Sequence, residues 1–200
     1  GPLPEREGID NVRDSINNPE KVVVVAAAPA VRAAIGEEFG YPIGTNTEGK
    51  MFTAMRMLGF DKVFDVNFSA DLTIMEEANE LIDRVSNKGV LPMFTSCSPG
   101  WIRFVEYYYP ELIPNLSSCK SPMQMFGATV KTYWAQKEGI DPKNIYVVGI
   151  MPCTAKKFEK TRADENASGY PDIDAVLTTR ELAKMIKTSG IIFNELPDGT

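Results

Sequence analysis

The sequence predicts an α/β fold in which a mostly parallel sheet is flanked by helices. Residues 22–27 and 145–150 are continuously apolar and rich in β-branched side chains, which is typical of strands covered on both faces. Apolar residues at helical spacing mark intervening segments such as 49–58 and 123–136. Strands and helices in this alternation form parallel sheets, and we expect residues 22–27 to be the central strand.

Shorter segments complete the prediction. Asp71 is a plausible N-cap for a helix that reaches Val85, and Thr178 to Glu181 form a capping box that opens a helix ending at Lys187. Residues 160–171 are predicted to be a polar surface loop. The remaining predicted strands are 62–66, 90–94 and 173–177, and another helix covers 31–39.

Composition bounds the possible functions. The chain has 200 residues, of which 44% are apolar, and this is ample for a sizeable core. Its net charge of -6 gives no electrostatic reason to expect nucleic acid or an anionic membrane as a partner. No run of about 18 apolar residues could span a membrane, and the first residues lack the apolar core of a signal peptide.

Cysteine and histidine usage narrows the chemistry. Three cysteines are too few, and odd in number, for a disulfide framework, which predicts a reducing, cytoplasmic compartment. The sequence has no histidine, so Ser-His and Cys-His triads, histidine zinc sites and histidine general bases are excluded. The remaining chemistry must come from cysteine, carboxylate and lysine.

Two cysteines follow predicted strands. Cys97 lies between the strand at 90–94 and a helix that Pro99 opens as its first residue, and Cys153 follows the strand at 145–150. In one parallel sheet both would face the same edge, where open α/β sheets bind ligands. The ordinary interpretation of an isolated cysteine is a small buried hydrophobe, and an apolar module with structural cysteines predicts that no thiol reaches this edge.

The helix after Asp71 carries a pattern of charges. Its apolar seam is Ile74, Ala78, Leu81 and Val85, and Glu77 falls about 60° to one side of the seam, so its carboxyl can point inward. Glu80 and Arg84 continue on the side of Glu77. The spacing is compatible with a line of ionisable groups from interior to surface, and equally with a charged flank that holds an i,i+4 ion pair.

Residues 95–101 and 151–159 resemble the first two of the three signature motifs of the iron-only (di-iron, FeFe) hydrogenases. The similarity covers roughly residues 17–196, with further matching stretches at 28–33, 58–65, 73–78, 121–122 and 178–186. It implies that residues 17–200 are the N-terminal lobe of the family's two-lobed catalytic domain. Residues 1–16 are then a leader or linker, in which residues 1–2 are either a tag scar or the cut end of a longer protein.

The resemblance implies a cofactor and partners. In the family a 4Fe-4S cubane is bridged through a cysteine to a di-iron unit that carries carbon monoxide, cyanide and a dithiolate. This H-cluster lies between the two lobes. The third motif, which supplies two further cubane ligands, does not occur in the sequence, so we expect the chain alone not to hold the cluster. The implied partners are the second lobe and an electron-transfer partner, either ferredoxin or NAD(P)-linked subunits.

Individual roles also follow from the resemblance. Cys97 matches the proton-relay cysteine, Cys153 a cubane ligand, and Lys156 the ammonium that pairs with an iron-bound cyanide. The rest of the proton path matches Glu77, Ser117, Glu80 and Arg84, and the residues lining the cluster match Met151 and Pro29. Because burial raises the pKa of a carboxyl, we expect buried acids in this path to relay protons near pH 7.

Four positions depart from the family pattern. Ser98 stands where a second cysteine usually ligates the cubane, and serine is a poor ligand for soft iron-sulfur clusters. Either Cys119, where many relatives have alanine, supplies the missing thiolate, or Cys97 becomes the ligand and the proton path is broken. Ala30 and Met123 weaken contacts around the di-iron unit. Such variation resembles the NAD(P)-linked multisubunit members.

The resemblance implies reversible oxidation of hydrogen to protons and electrons. The alternative is a non-catalytic relative that holds a cluster for iron-sulfur assembly or hydrogen sensing. Ser98 favours the alternative. The set formed by Glu77, Glu80, Ser117 and Lys156 favours the hydrogenase, since a protein that only holds a cluster needs no proton path.

Overall fold

A computed structural model of the chain describes residues 8–162 and 165–199, and a four-stranded parallel sheet lies at its centre. The strands are β1 (Val22–Ala27), β2 (Lys62–Asp65), β3 (Ile145–Met151) and β4 (Ala175–Thr178). Their order in the sheet is β2-β1-β3-β4, and every pairing is parallel. The predicted fold class and the central place of residues 22–27 are therefore confirmed.

Helices connect and cover the strands. The capping box at Thr178 is present, with hydrogen bonds in both directions between Thr178 and Glu181. The α-helices are α1 (Ile9–Ile16), α2 (Pro29–Ala34), α3 (Glu48–Met57), α4 (Asn67–Ser86), α5 (Pro99–Tyr108), α6 (Pro122–Thr129), α7 (Ala135–Glu138), α8 (Lys156–Glu159) and α9 (Thr179–Thr188). Shorter helical turns are Ile35–Phe39, Pro110–Asn115, Pro142–Asn144 and Phe193–Glu195, and a π-helical turn, Val130–Trp134, joins α6 to α7.

The sheet divides the apolar core into two parts. Val23 and Val25 of β1 contribute to a cluster with buried residues of α1, α2, α3 and α9. Val24 and Ala26 of the same strand contribute to a second cluster with buried residues of α6. Alternate side chains of a strand point to opposite faces, so β1 holds both clusters together and both faces of the sheet are covered.

Helix α1 lies within the segment predicted as a leader or linker. Its apolar residues Ile9 and Val12 are buried in the first core cluster, and Ile16 packs against it. The steps of three and four between them place all three side chains on one helix face. The predicted domain boundary after residue 16 stays a prediction, but residues 9–16 are part of the packed fold. Residues 1–7 lie outside the described residues, as do two positions of the predicted loop at 160–171.

Two local predictions are wrong. No strand forms at 90–94, where Phe94 alone makes an isolated parallel bridge with Leu116. Val90 and Leu91 are exposed, so this segment runs along the surface instead of entering the sheet. Asp71 does not cap α4, because this helix begins four residues earlier, at Asn67. The side chain of Asp65 accepts a hydrogen bond from the backbone N–H of Asn67 at 3.0 Å.

The apolar seam predicted for α4 is largely uncovered. Ile74, Leu81 and Val85 expose 64%, 42% and 61% of their surface, whereas the buried residues of this helix are Ser69 and Thr73. Among the described residues, α4 packs mainly against α6, and Glu80 and Arg84 contact residues 90 and 114–118, whereas these three seam residues stay exposed. Within the described ranges, no helix combines the length and apolar content needed to cross a bilayer.

Candidate functional site

The candidate site lies at the carboxyl edge of the sheet. Ala27 of β1 stands opposite Ile150 of β3, and the N–H of Ala28 donates to the carbonyl of Ile150 at 2.9 Å. Neighbouring parallel strands thus end together, and their next residues share this edge. These residues include the exposed Pro29 and Ala30 after β1 and the exposed Cys153 after β3.

Two methionines lie beneath this edge. Met123 of α6 and Met151 at the end of β3 are both buried in the second core cluster. Both reach Gly149, where an added Cβ would lie 3.1 Å from the sulfur of Met123 and 3.5 Å from the methyl carbon of Met151. The structure therefore brings together the two methionines assigned by resemblance to the cluster surroundings.

The first motif is a loop followed by a helix. Cys97 is exposed and follows the isolated bridge at Phe94, so its predicted place at the end of a strand is wrong. Pro99 is the first residue of α5, as predicted. The hydroxyl of Ser98 is the N-cap of this helix and accepts a hydrogen bond from the N–H of Trp101 at 3.4 Å. The Ser98 hydroxyl therefore caps the N-terminus of α5. A serine directly before a proline is also a sequence pattern typical of a helix start.

Lys156 joins the first motif to the second. Its Nζ donates to the carbonyl oxygen of Cys97 at 2.7 Å and to Oε2 of Glu159 at 2.5 Å. The side chain is 12% exposed, and its contact with Glu159 is partly shielded from water, whereas its contact with Cys97 lies at the surface. The two predicted motifs, 59 residues apart in sequence, are neighbours through this ammonium group.

Glu80 lies at the centre of a hydrogen-bonded cluster. Its carboxylate accepts from Ser117 Oγ at 2.8 Å, from the N–H of Ser118 at 3.1 Å and from a guanidinium nitrogen of Arg84 at 2.6 Å. The thiol of Cys119 approaches the same carboxylate at 3.7 Å. The i,i+4 ion pair between Glu80 and Arg84 is therefore present, and the same carboxylate also joins α4 to residues 117–119.

Arg84 fixes this cluster to the surface loops. Its guanidinium donates to the carbonyl oxygens of Val90, Pro114 and Leu116 at 3.1, 3.2 and 2.8 Å. Charged hydrogen bonds of this kind hold the loops that carry Ser117 and the first motif against α4.

Electrostatics in this cluster differ from the expectation for buried acids. Burial raises the pKa of Glu80, but the hydrogen bonds from Ser117, Arg84 and Ser118 together lower it below its ordinary value. The expectation of a raised pKa is therefore wrong for Glu80, which is ionised at neutral pH. The pKa of the Cys119 thiol is raised, first by burial and also by the nearby carboxylates of Glu80 and Glu77, against a hydrogen bond with Ser117 that lowers it.

Glu77 stands beside this cluster without joining it. Its side chain is half-buried, and no described residue makes a hydrogen bond to it. Its charge acts on Cys119, which places the two groups near one another. Among the described residues, the structure connects Glu80, Ser117, Arg84 and Cys119, and it does not connect these by hydrogen bonds to Glu77 or to the thiol of Cys97.

Sequence reasoning missed the polar cleft next to Lys156. A cavity of about 540 Å³ lies between the first motif and residues 117–121. Glu159 is 5% exposed in this wall and accepts a short hydrogen bond from Ser121 Oγ. The spacing of three residues between Lys156 and Glu159 is the signal that could have predicted their ion pair. Polar residues that line the cavity include Ser96, Ser117, Cys119, Ser121 and Glu159.

The chain does not contain the donors of a complete iron-sulfur cluster site. The described residues contain no group of three or more cysteine, aspartate or glutamate side chains arranged to hold a metal ion. Iron-sulfur cubanes are held by four cysteine thiolates, and the whole sequence has three cysteines. The donors present therefore do not fit a complete cubane, and a cubane bound here would need further ligands from another segment or chain.

The fold and site define an α/β protein with an exposed thiol, Cys153, just after β3 and an ammonium group, Lys156, that bonds to the loop carrying a second exposed thiol, Cys97. Residues 21–200 match the family model described as "Iron only hydrogenase large subunit, C-terminal domain". The chain therefore belongs to this family, as the motifs predicted.

Individual relatives agree with the family. The chain is 57% identical to "Iron hydrogenase 1" of Clostridium pasteurianum over 98% of its length, which is 34% of that protein. It is 50% identical to "NADP-reducing hydrogenase subunit HndD" of Solidesulfovibrio fructosivorans, over 99% of this chain and 35% of that one. The structure of "apo [FeFe]-hydrogenase HydA1 from Chlamydomonas reinhardtii, variant C377H" superposes with a TM-score of 0.90, at 45% identity, over 96% of this chain and 50% of that one.

More distant relatives have a different role. The chain is 35% identical to "Cytosolic Fe-S cluster assembly factor narfl" of Danio rerio, over 88% of this chain and 44% of that protein. In each of these four comparisons the chain spans between about a third and a half of the other protein.

Proposed function

We propose that the chain is the N-terminal lobe of an FeFe hydrogenase and contributes one wall of the site where hydrogen is reversibly converted to protons and electrons. The observation that carries this proposal is the hydrogen bond from Lys156 Nζ to the carbonyl of Cys97 at 2.7 Å, because it brings both motifs to one place beside the sheet edge. The H-cluster, when bound, supplies the iron chemistry and the electron transfer.

Within this proposal each thiol has its own task. Cys153 ligates the cubane, because it is exposed at the end of β3, and Cys97 accepts and donates protons. The second lobe supplies the ligands that this chain lacks. An electron-transfer partner, ferredoxin or NAD(P)-linked subunits, completes the reaction. The cytoplasmic location predicted from cysteine usage stays a prediction.

The proton path of the proposal runs through Glu80 and Ser117 with Glu77 and Cys97 at its inner end. The contact of 2.8 Å between Ser117 Oγ and Glu80 supports its outer part. The lowered pKa makes Glu80 a weaker base than an ordinary carboxylate, so in this path it does not store a proton at neutral pH. Arg84 holds this carboxylate in place and stabilises its charge.

The test is hydrogen-dependent dye reduction by the full-length protein after maturation with its cluster, with infrared bands of bound carbon monoxide and cyanide as the measure of loading. We expect both the bands and the reduction, and we expect loss of reduction with retained bands in Cys97→Ala. A cubane spectrum without these bands or without hydrogen-dependent reduction would reject the proposal.

A cubane spectrum without hydrogen-dependent reduction would support the alternative, a relative that holds a cluster for iron-sulfur assembly or sensing. One observation favours this alternative: the Ser98 hydroxyl, at the position of a usual cluster cysteine, caps α5. An oxygen used in this way does not replace a thiolate.

A further inference from the structure

Glu159 is a buried carboxylate without a role in the proton path. It is 5% exposed, and both of its oxygens have partners: Ser121 Oγ donates to one and Lys156 Nζ to the other. Removing a carboxylate from water is costly unless its charge is paired and its oxygens accept hydrogen bonds. The surroundings of Glu159 meet both requirements, so this carboxylate is a fixed part of the site wall.

The partner of Glu159 has limited freedom. A lysine ammonium has three N–H donors on a flexible stem. In Lys156 one donor points to Glu159 and a second to the carbonyl of Cys97, at 2.5 and 2.7 Å. Two acceptors on separate segments leave the ammonium one favoured orientation. The third N–H remains available for a ligand at the sheet edge.

The charges at this point cancel, because the carbonyl of Cys97 is neutral and the ammonium carries one positive charge against the single negative charge of Glu159. Lys156 therefore offers a ligand a directed N–H donor and not a net positive charge. A neutral residue at position 159 would leave Lys156 free to turn towards water or towards other acceptors of the cleft. The carboxylate therefore determines where the third N–H points.

We propose that Glu159 is a positioning residue for Lys156, which it aims, together with the Cys97 carbonyl, at an anionic group bound at the sheet edge. The inference rests on the proposed function, which supplies this anion as an iron-bound cyanide. Glu159 acts through Lys156 and does not itself touch the bound group.

The experiment compares Glu159→Gln and Glu159→Asp in the full-length, cluster-loaded protein. Glu165→Gln is the matched control, because Glu165 lines the same cleft but forms its ion pair with Lys120. We expect Glu159→Gln to shift one cyanide infrared band by more than its width and to lower hydrogen-dependent reduction about tenfold, the loss typical of one charged hydrogen bond. Glu159→Asp should give an intermediate shift, and Glu165→Gln the wild-type bands.

A second measurement does not need the cluster. Acetic anhydride modifies free amines, and peptide mass spectrometry reports its rate at Lys156 in the 200-residue chain. We expect this rate to rise several-fold in Glu159→Gln and to stay unchanged in Glu165→Gln.

Two outcomes would overturn the inference. The first is that Lys156→Met shifts the cyanide band and Glu159→Gln leaves it at its wild-type position. If Glu159→Gln does not fold, the same comparison is made with Glu159→Asp. The second is a lower melting temperature with unchanged modification of Lys156, which shows a purely structural carboxylate. If the wild-type protein itself lacks cyanide bands, the proposed function fails, and the modification rate alone decides the role of Glu159.

Discussion

The ammonium of Lys156 donates a hydrogen bond to the carbonyl oxygen of Cys97 over 2.7 Å. One residue belongs to the short helix after β3, and the other belongs to a loop that is not part of the sheet. The position of Cys97 therefore depends on a long-range contact and not on a strand.

This contact predicts a local effect of Lys156→Met. Without the ammonium, the loop at 95–98 loses a hydrogen-bond partner, and we expect its backbone amides to exchange hydrogen at least several-fold faster. Hydrogen exchange with mass spectrometry measures this. Lys157→Met is the control, since Lys157 is the next residue of the same short helix but pairs with Glu181. Equal protection of 95–98 in the wild type and in Lys156→Met would contradict the prediction.

The lowered pKa of Glu80 predicts a pH-dependent stability. A carboxyl whose pKa is lower in the folded state stabilises the fold above its ordinary value of 4.5, and this contribution is lost as the pH falls through the folded pKa. We expect Glu80→Gln to lower the free energy of unfolding by about 1–3 kcal/mol at pH 7, because Ser117 and Arg84 lose a charged acceptor. The difference from the wild type should shrink below pH 4.5 in urea titrations. A difference that grows with acidity would show the opposite shift.

The raised pKa of Cys119 predicts its reactivity. Because its pKa is raised, a smaller fraction of Cys119 than of an ordinary cysteine is thiolate at pH 7. Cys119 is also half-buried, whereas Cys97 and Cys153 are exposed. We expect Cys119 to react slowest with iodoacetamide. Glu80→Gln and Glu77→Gln should each accelerate it, since each removes a negative charge that disfavours the thiolate. Mass spectrometry of the labelled peptides checks the order, and a slower reaction in these variants would refute the assignment of the charges.

Cys119 is also the candidate for the missing cubane ligand. The structure places its sulfur near Glu80, and Ser96 Oγ donates to its backbone carbonyl at 3.1 Å, one residue from Cys97. If Cys119 ligates the cubane, Cys119→Ala in the full-length protein should remove or change the cubane's paramagnetic spectrum, and Ser98→Ala should leave it intact. An unchanged spectrum in Cys119→Ala would end this hypothesis.

The uncovered face of α4 predicts self-association of the isolated chain. Ile74, Met75, Ile82 and Val85 are each more than 60% exposed, and neighbouring apolar residues of this size are unusual on a monomer surface. We expect sedimentation velocity to show oligomers that the pair Ile74→Glu and Val85→Lys abolishes. Glu76→Lys, at an exposed charged position of the same helix, should leave them unchanged. A monomeric wild type at tens of micromolar would contradict the expectation.

Much of the fold was predictable because its strands are extreme in composition. The runs of β1 and β3 are apolar and rich in β-branched residues, which is typical of covered strands. The capping box at Thr178 is a local signal read directly from the sequence. The segment at 90–94 shows the limit of this reasoning. It is also apolar, but its backbone pairs only at Phe94, because partner choice depends on the remainder of the chain.

Local sequence determined the α/β fold with its parallel sheet, the membership in the hydrogenase family and the residues that belong to the two motifs. It did not determine the number of strands, because the predicted strand at 90–94 does not form. Only the tertiary structure decided that Glu80 has a lowered pKa, that its carboxylate accepts hydrogen bonds from Ser117 and Ser118, and that Lys156 donates to the carbonyl of Cys97. The physical reason is the range of the forces involved. Periodicity and capping act between residues a few positions apart, whereas burial, charge and hydrogen bonding at the site depend on residues that only the folded chain brings together.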